Sequence, residues 1–179
     1  MAHLAIRKLR AGDRDYLAHT VSRNFGSTRV ISRGKQHDCL DLPGYVASLE
    51  DAHQGMTGNV APSEPVGLIQ YDIQGRELEV VVLASDKAGQ GVGRALLAEV
   101  IRFCEQQALS RCWLITTNNN KVAIRFYQKL GWEMVAVHRG AVNESRRLIP
   151  DIPLHDSAGV PIEDELEFQF LLASQTSLF

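Results

Sequence analysis

The sequence predicts an α/β protein of the α+β type, a mixed sheet flanked by helices, because strands and helices alternate too irregularly for a repeated strand–helix unit. Three observations carry this. Val66–Ile73 and Glu77–Ala84 read as two strands joined by a tight turn at Gln74-Gly75, a hairpin. The second of them, with its apolar core Val80 to Ala84, runs into a glycine-dense turn and then a helix over Ala95–Gln107, whose Leu96, Leu97, Val100, Ile101, Phe103 and Cys104 make a broad face for a sheet. Late in the chain, Glu165–Leu172 alternates as a strand, with Leu166, Phe168, Phe170 and Leu172 expected inside and Glu165, Glu167 and Gln169 outside.

The remaining elements follow in order. Leu4–Arg10 alternates as a first strand, and Asp13 is placed to cap a helix that buries Tyr16, Leu17, Val21 and Phe25 and stops at Gly26. Thr28–Ser32 and His37–Leu40 are short extended pieces. Tyr45–Leu49, after the Pro43-Gly44 turn, fits a strand or a short helix. Residues 51–65 hold glycine, asparagine and proline clusters without periodicity, the pattern of a mobile surface loop. Arg111–Thr117 is a short buried strand. Asn118-Asn119-Asn120 caps a helix striped by Ala123, Phe126, Tyr127 and Leu130 and closed by Gly131. Trp132–His138 is a strand, Ala141–Leu148 a short helix, and Asp156–Gly159 a turn.

The whole chain bounds what it can do. Its 179 residues, 45% apolar and 22% charged, suit one globular domain spanning residues 1–179. A net charge of −2 gives no electrostatic reason to bind nucleic acid or an anionic membrane. With no long apolar run and no signal-peptide pattern at the N-terminus, the chain reads as cytoplasmic. Its three cysteines, Cys39, Cys104 and Cys112, are widely spaced and read as reduced thiols. No histidine pair has zinc-ligand spacing, and no metal is expected.

The chemistry centres on Lys87-Ala88-Gly89-Gln90-Gly91-Val92-Gly93-Arg94. A strand, a glycine turn and a helix N-terminus leave backbone N–H groups unpaired at the positive end of a helix dipole, a seat for phosphate. It is not a Walker loop, because Gly93 is followed by Arg94 and Ala95 rather than Lys and Ser or Thr. The dinucleotide fingerprint fails too: Leu96 stands where its third small residue belongs.

What remains resembles the pyrophosphate loop of the GNAT superfamily of N-acetyltransferases, Arg/Gln-x-x-Gly-x-Gly/Ala. Gly91 and Gly93 match, while Ala88 stands at the Arg/Gln position and leaves Gln90 or Lys87 to supply a side-chain contact. A second resemblance lies one helix and one strand further on, where Asn120-x-x-Ala123-x-x-Phe126-Tyr127, followed by Gly131-Trp132, is similar to the superfamily's Asn-x-x-Ala-x-x-aromatic-Tyr-x-x-x-Gly-aromatic motif. The likeness is strongest from Glu77 to Trp132. The run His138 to Glu167 resembles a bacterial subgroup.

The resemblance implies a mostly antiparallel central sheet of six to seven strands flanked by helices. It also implies acetyl-CoA as co-substrate and transfer of acetyl to a primary amine of a small molecule or peptide. Cofactor contacts then fall on Leu83, Ala84, Gly89, Gln90, Gly91, Val92, Gly93, Arg94, Asn120 and Tyr127. An N–H near Leu83 is expected to bind the thioester carbonyl, Asn120 to meet the pantetheine arm and Tyr127 to stand near the sulfur. A core tyrosine and a plain N-cap are the competing assignments for the last two.

An alkyl amine with a pKa of about 10.4 is mostly protonated at neutral pH, so a base must take a proton, and an acid should meet the thiolate. Tyr127 is the candidate acid. Glu79 is the first candidate base and Glu77 the second; the two lie on one strand face, expected to be shared with Val81 and Leu83. Both glutamates also fit a solvated strand face. Arg146 and Arg139, in the 139–160 substrate-side segment, are candidates for binding an anionic group of the acceptor. A non-catalytic acyl-CoA-binding sensor, kept open by Ala88, or an interaction domain is the alternative, and a homodimer is compatible with everything above.

Overall fold

The computed structural model describes residues 2–51 and 64–172. The expected loop at 51–65 falls almost wholly outside them. Seven strands form one sheet in the order β1-β4-β5-β6-β7-β9-β8. These are β1 (Ala2–Lys8), β4 (Gly44–Asp51), β5 (Pro65–Gln74), β6 (Glu77–Ser85), β7 (Arg111–Thr117), β8 (Glu133–His138) and β9 (Glu165–Phe170). Every neighbouring pair is antiparallel except β6 and β7. A separate two-stranded hairpin, β2 (Arg29–Ser32) and β3 (Lys35–Asp38), and four helices, α1 (Arg14–Phe25), α2 (Val92–Gln106), α3 (Lys121–Lys129) and α4 (Ala141–Leu148), complete the mixed α+β fold.

The single parallel pair has a simple cause. β6 and β7 are joined through α2, and a helical crossover returns the chain in the same direction. Val92, Leu96, Leu97, Val100 and Cys104 make one buried stripe on α2, and this stripe packs on the sheet with Ile69, Tyr71, Leu78, Val80, Leu114 and Phe168. On the opposite face Leu17 and Val21 of α1 pack with Val46, Leu68, Val81 and Val82.

Boundaries differ from the sequence reading where local rules met tertiary ones. β1 begins two residues early because it pairs with β4 from Ala2↔Asp51 to Lys8↔Tyr45, and the same pairing settles Tyr45–Leu49 as strand. The β5–β6 turn is Gly75-Arg76, one residue later than expected, with Gly75 at φ 61. Phe25, assigned to the buried face of α1, is exposed at its last turn.

Asp13 precedes α1 but does not cap it with its side chain. Its carboxylate accepts two hydrogen bonds from the Arg7 guanidinium, each 2.7 Å, and one from the Arg10 N–H at 2.8 Å, locking β1 to the start of α1. The Arg7 bond, with its charge, holds the Asp13 carboxyl below the usual range despite burial.

The largest correction concerns β9. Glu165 and Glu167, expected in solvent, are 3% and 4% exposed. The β2–β3 hairpin supplies the cover: the Arg33 N–H at its tip donates to Glu165 Oε2 at 3.0 Å, and the Arg33 guanidinium lies 3.5 Å from Glu167.

Candidate active site

Two features of β6 open the sheet. Opposite β5, the register shifts between Gln70↔Val82 and Tyr71↔Val80, so Val81 is an extra residue, a bulge. Opposite β7, pairing runs only from Glu77↔Arg111 to Val80↔Leu114. β6 continues to Ser85 and β7 to Thr117, so their last residues diverge and leave a gap.

The bulge also corrects the face assignment. Glu79 and Val81 share a face as expected, but Val82 joins Val81 in the α1-side core and Leu83 packs on the α2 side. The β6 edge around Leu83 turns toward the gap with no strand to pair its backbone there.

A cavity of about 250 Å³ fills this gap, lined among others by Glu79, Val81, Thr116, Asn120 and Glu165. Glu79 is 5% exposed. Its Oε1 has no hydrogen-bond partner, and its Oε2 lies 3.5 Å from His37 Nε2, itself unpartnered. Glu77, two residues earlier, stands at the outer end of the strand, half exposed and paired with Arg111 at 3.2 Å. The two candidate bases are therefore unequal: one borders the gap and one does not.

The glycine turn lies at the mouth of the gap. α2 begins at Val92, inside the motif and three residues before the expected start. Gly91 takes the N-cap position at φ 77, a left-handed conformation that costs any other L-residue about 1 kcal/mol. No side chain caps this helix, and its first intrahelical bond is Ala95 N–H to Gly91 C=O, so the N–H groups of Val92, Gly93 and Arg94 remain for an anion. A Cβ on Gly89 or Gly91 would meet nothing within 4 Å, whereas one on Gly93 would come 3.2 Å from the Phe126 ring. Gly93 is thus small because α2 and α3 approach closely there. Gln90, Lys87 and Arg94 are exposed around the turn, with Arg94 reaching the groove between α2 and α3 beside Lys129. Ala84 is buried in β6 just before it.

Asn120 is both a helix cap and part of the cavity wall. Its Oδ1 caps α3 by accepting the Ala123 N–H at 3.1 Å, and the residue lines the cavity. Tyr127, two turns along α3, is 8% exposed among Phe126, Trp132 and Phe168, ring centroids 5.4 to 5.9 Å away. Burial alone pushes its hydroxyl well above the ordinary phenol range.

The candidate substrate arginines lie elsewhere. Arg146 donates to the carbonyls of Ile152, Pro153 and Ile162 and to Asn143 Oδ1, fastening the segment after α4. Arg139 is exposed in the turn between β8 and α4.

The structure assembles groups that the sequence reading did not join. Glu165 lies in the cavity with Glu79. Glu167 is held by Arg111 and by His138 Nε2 at 2.7 Å; burial would raise its pKa, but these partners outweigh it and lower it. His37, Asp72 and Glu79 offer ligand atoms within 4.8 Å of one another, although Lys35 already pairs with Asp72. Their separation along the chain, on β3, β5 and β6, hid this grouping.

A sheet parted between its two parallel strands, with an uncapped glycine turn at its mouth and a carboxylate in its crotch, defines an acetyltransferase class of fold. The chain belongs to the acetyltransferase (GNAT) family, whose model matches residues 18–132. The uncharacterized protein YdhI of Bacillus subtilis (strain 168) is 38% identical over 152 residues, covering 85% of this chain and 88% of that one. Streptothricin acetyltransferase of Streptomyces lavendulae is 25% identical over 99 residues, 53% of this chain and 52% of its own. The crystal structure of a GNAT family acetyltransferase from Elizabethkingia anophelis with acetyl-CoA bound shares the fold, with a TM-score of 0.63 at 16% identity over 94% of this chain and 98% of that one. Among the described residues no helix is long and apolar enough to cross a membrane.

Proposed function

We propose that this protein is an acetyl-CoA-dependent N-acetyltransferase acting in the cytoplasm on a primary amine of a small molecule or peptide, by direct attack within a ternary complex. The observation that carries the proposal is Glu79, buried at the parting of β6 and β7 with one oxygen unpartnered.

In this reading the diphosphate of acetyl-CoA rests on the free N–H groups of Val92 to Arg94, with Gln90 and Lys87 beside it in place of the side chain absent at Ala88. The pantetheine arm enters the gap between the strands past the Asn120 amide, and the free β6 edge near Leu83 donates an N–H to the thioester oxygen. Glu79 takes a proton from the acceptor ammonium. The neutral nitrogen then attacks the carbonyl carbon, the C–N bond forms, the C–S bond breaks, the departing thiolate takes a proton from Tyr127, and the nitrogen, cationic once bonded to carbon, gives up its second proton to solvent to leave the neutral amide. A phenol raised by burial holds that proton throughout the neutral range and regains it from solvent as Glu79 releases its own. Arg146 contributes by holding residues 150–162 in place, and Arg139 is exposed in the turn before α4.

Coenzyme A release tests this directly. Glu79→Gln is expected to lower kcat by about a hundredfold or more while acetyl-CoA affinity changes little. Full activity in that variant would overturn the role of Glu79. No turnover with any amine in the unaltered protein would favour the sensor reading that Ala88 keeps in play.

A further inference from the structure

The cavity between β6 and β7 carries a charge imbalance. Its lining includes Glu79 and Glu165, and no lysine, arginine or histidine is among its lining residues. Neither carboxylate meets a cation at hydrogen-bond distance: Glu79 Oε1 has no partner, its Oε2 is 3.5 Å from His37, and Glu165 Oε2 accepts only the Arg33 backbone N–H. Glu167, on the same strand face two residues on, shows the contrasting arrangement, with Arg111, His138 and Arg33 all drawn to it. These cations are thus paired with Glu167, while the charges of His138 and Arg33 reach Glu165 only through longer-range attraction. Burial raises the Glu165 pKa against the lowering effects of the Arg33 N–H and the His138 charge, and the Glu79 charge adds a smaller push upward.

The pantetheine arm of coenzyme A is uncharged and brings these carboxylates hydrogen-bond donors at most, with no counter-charge. An acceptor with a single amine offsets one of them on entry and loses that charge when it becomes the nucleophile. The lining is mixed: Ser32, Thr116 and Thr117 are polar, while Val30, Val80, Val81 and Ile115 are suited to methylenes.

We propose that Glu165 is a second acceptor-binding residue and that the acceptor is an alkyl amine carrying a second positive charge, such as a diamine. One nitrogen reacts at Glu79 while the other stays charged against Glu165. This rests on the transferase reading of the same gap and adds the acceptor class to it.

The test uses three acceptors of equal chain length with acetyl-CoA: 1,5-diaminopentane, n-pentylamine and 5-aminopentanoate. A desolvated charge pair predicts kcat/KM falling by roughly tenfold at each step in that order. In Glu165→Gln the KM for the diamine rises by roughly tenfold, kcat moves far less, and the diamine's advantage over pentylamine collapses. Equal use of the three by the unaltered protein overturns the proposal, even if the variant fails to fold. Equal losses in the variant for all three acceptors overturn it as well. Calorimetric titration of the diamine into the coenzyme A complex separates the two readings. Saturable binding that Glu165→Gln abolishes, without thiol release, supports the diamine site and sinks the transferase. Thiol release without charge preference does the reverse.

Discussion

At the scale of single residues, Tyr127 poses the sharpest question, because its ring belongs to the aromatic core while its hydroxyl is assigned the proton for the leaving thiolate. Removing the hydroxyl separates these roles. Tyr127→Phe keeps the ring contacts, and a buried hydroxyl whose shift has no cause but desolvation contributes little to stability. Its Tm is expected to stay within about 2 °C of the parent or to rise, while kcat falls by roughly ten- to a hundredfold. Unchanged kcat would make Tyr127 a core residue alone. The glutamates show how far sequence reaches at this scale. Glu79 was legible because the resemblance marks its position and strand alternation sets its face. Glu165 was not, since acidic and apolar residues alternating on β9 look like any half-solvated strand, and its cover comes from Arg33, distant in sequence. The bulge at Val81 was equally silent, because a run of valines gives no sign of which one is extra.

At the scale of elements, the site depends on how α1, the β2–β3 hairpin and α2 are fixed to the sheet. Tyr16 and Arg23 of α1 both bond Asp86, just after β6, at the foot of the glycine turn. Asp13 fastens the other end of α1 to Arg7 of β1. Replacing Asp13 with Asn removes a charge-assisted pair from a buried position and is expected to cost about 2 kcal/mol at pH 7, measured by chemical denaturation. The folded-state pKa of Asp13 is lowered, so its contribution is complete above the unfolded value near 4 and disappears as pH falls through the lower folded value. The difference between parent and variant should accordingly shrink toward pH 2. Element identity was readable in β7 and α4, short runs set off by turn residues, whose bounds match the expectation. α2 started early because its first turn is stabilised by the buried Val92, a contact no local rule contains.

At the scale of the whole molecule, one sheet with a core on each face places all three cysteines out of solvent. Burial and the nearby Asp38 charge push the Cys39 thiol up to about 12, and thiolate is the reactive form. A thiol reagent should therefore label none in the native protein at pH 7.5 and three after denaturation; rapid native labelling would contradict this core. The same architecture brings the glycine turn, the β6 edge left unpaired by β7 and a buried carboxylate together at the sheet's parting, where acetyl-CoA is proposed to bind. The measurement that tests this most directly is calorimetric titration with acetyl-CoA, S-acetylpantetheine and NAD. One acetyl-CoA is expected to bind per chain with micromolar affinity, S-acetylpantetheine more weakly by at least roughly a hundredfold for want of the diphosphate, and NAD to give no heat. No heat from acetyl-CoA, or equal affinity for the form without the diphosphate, would contradict it.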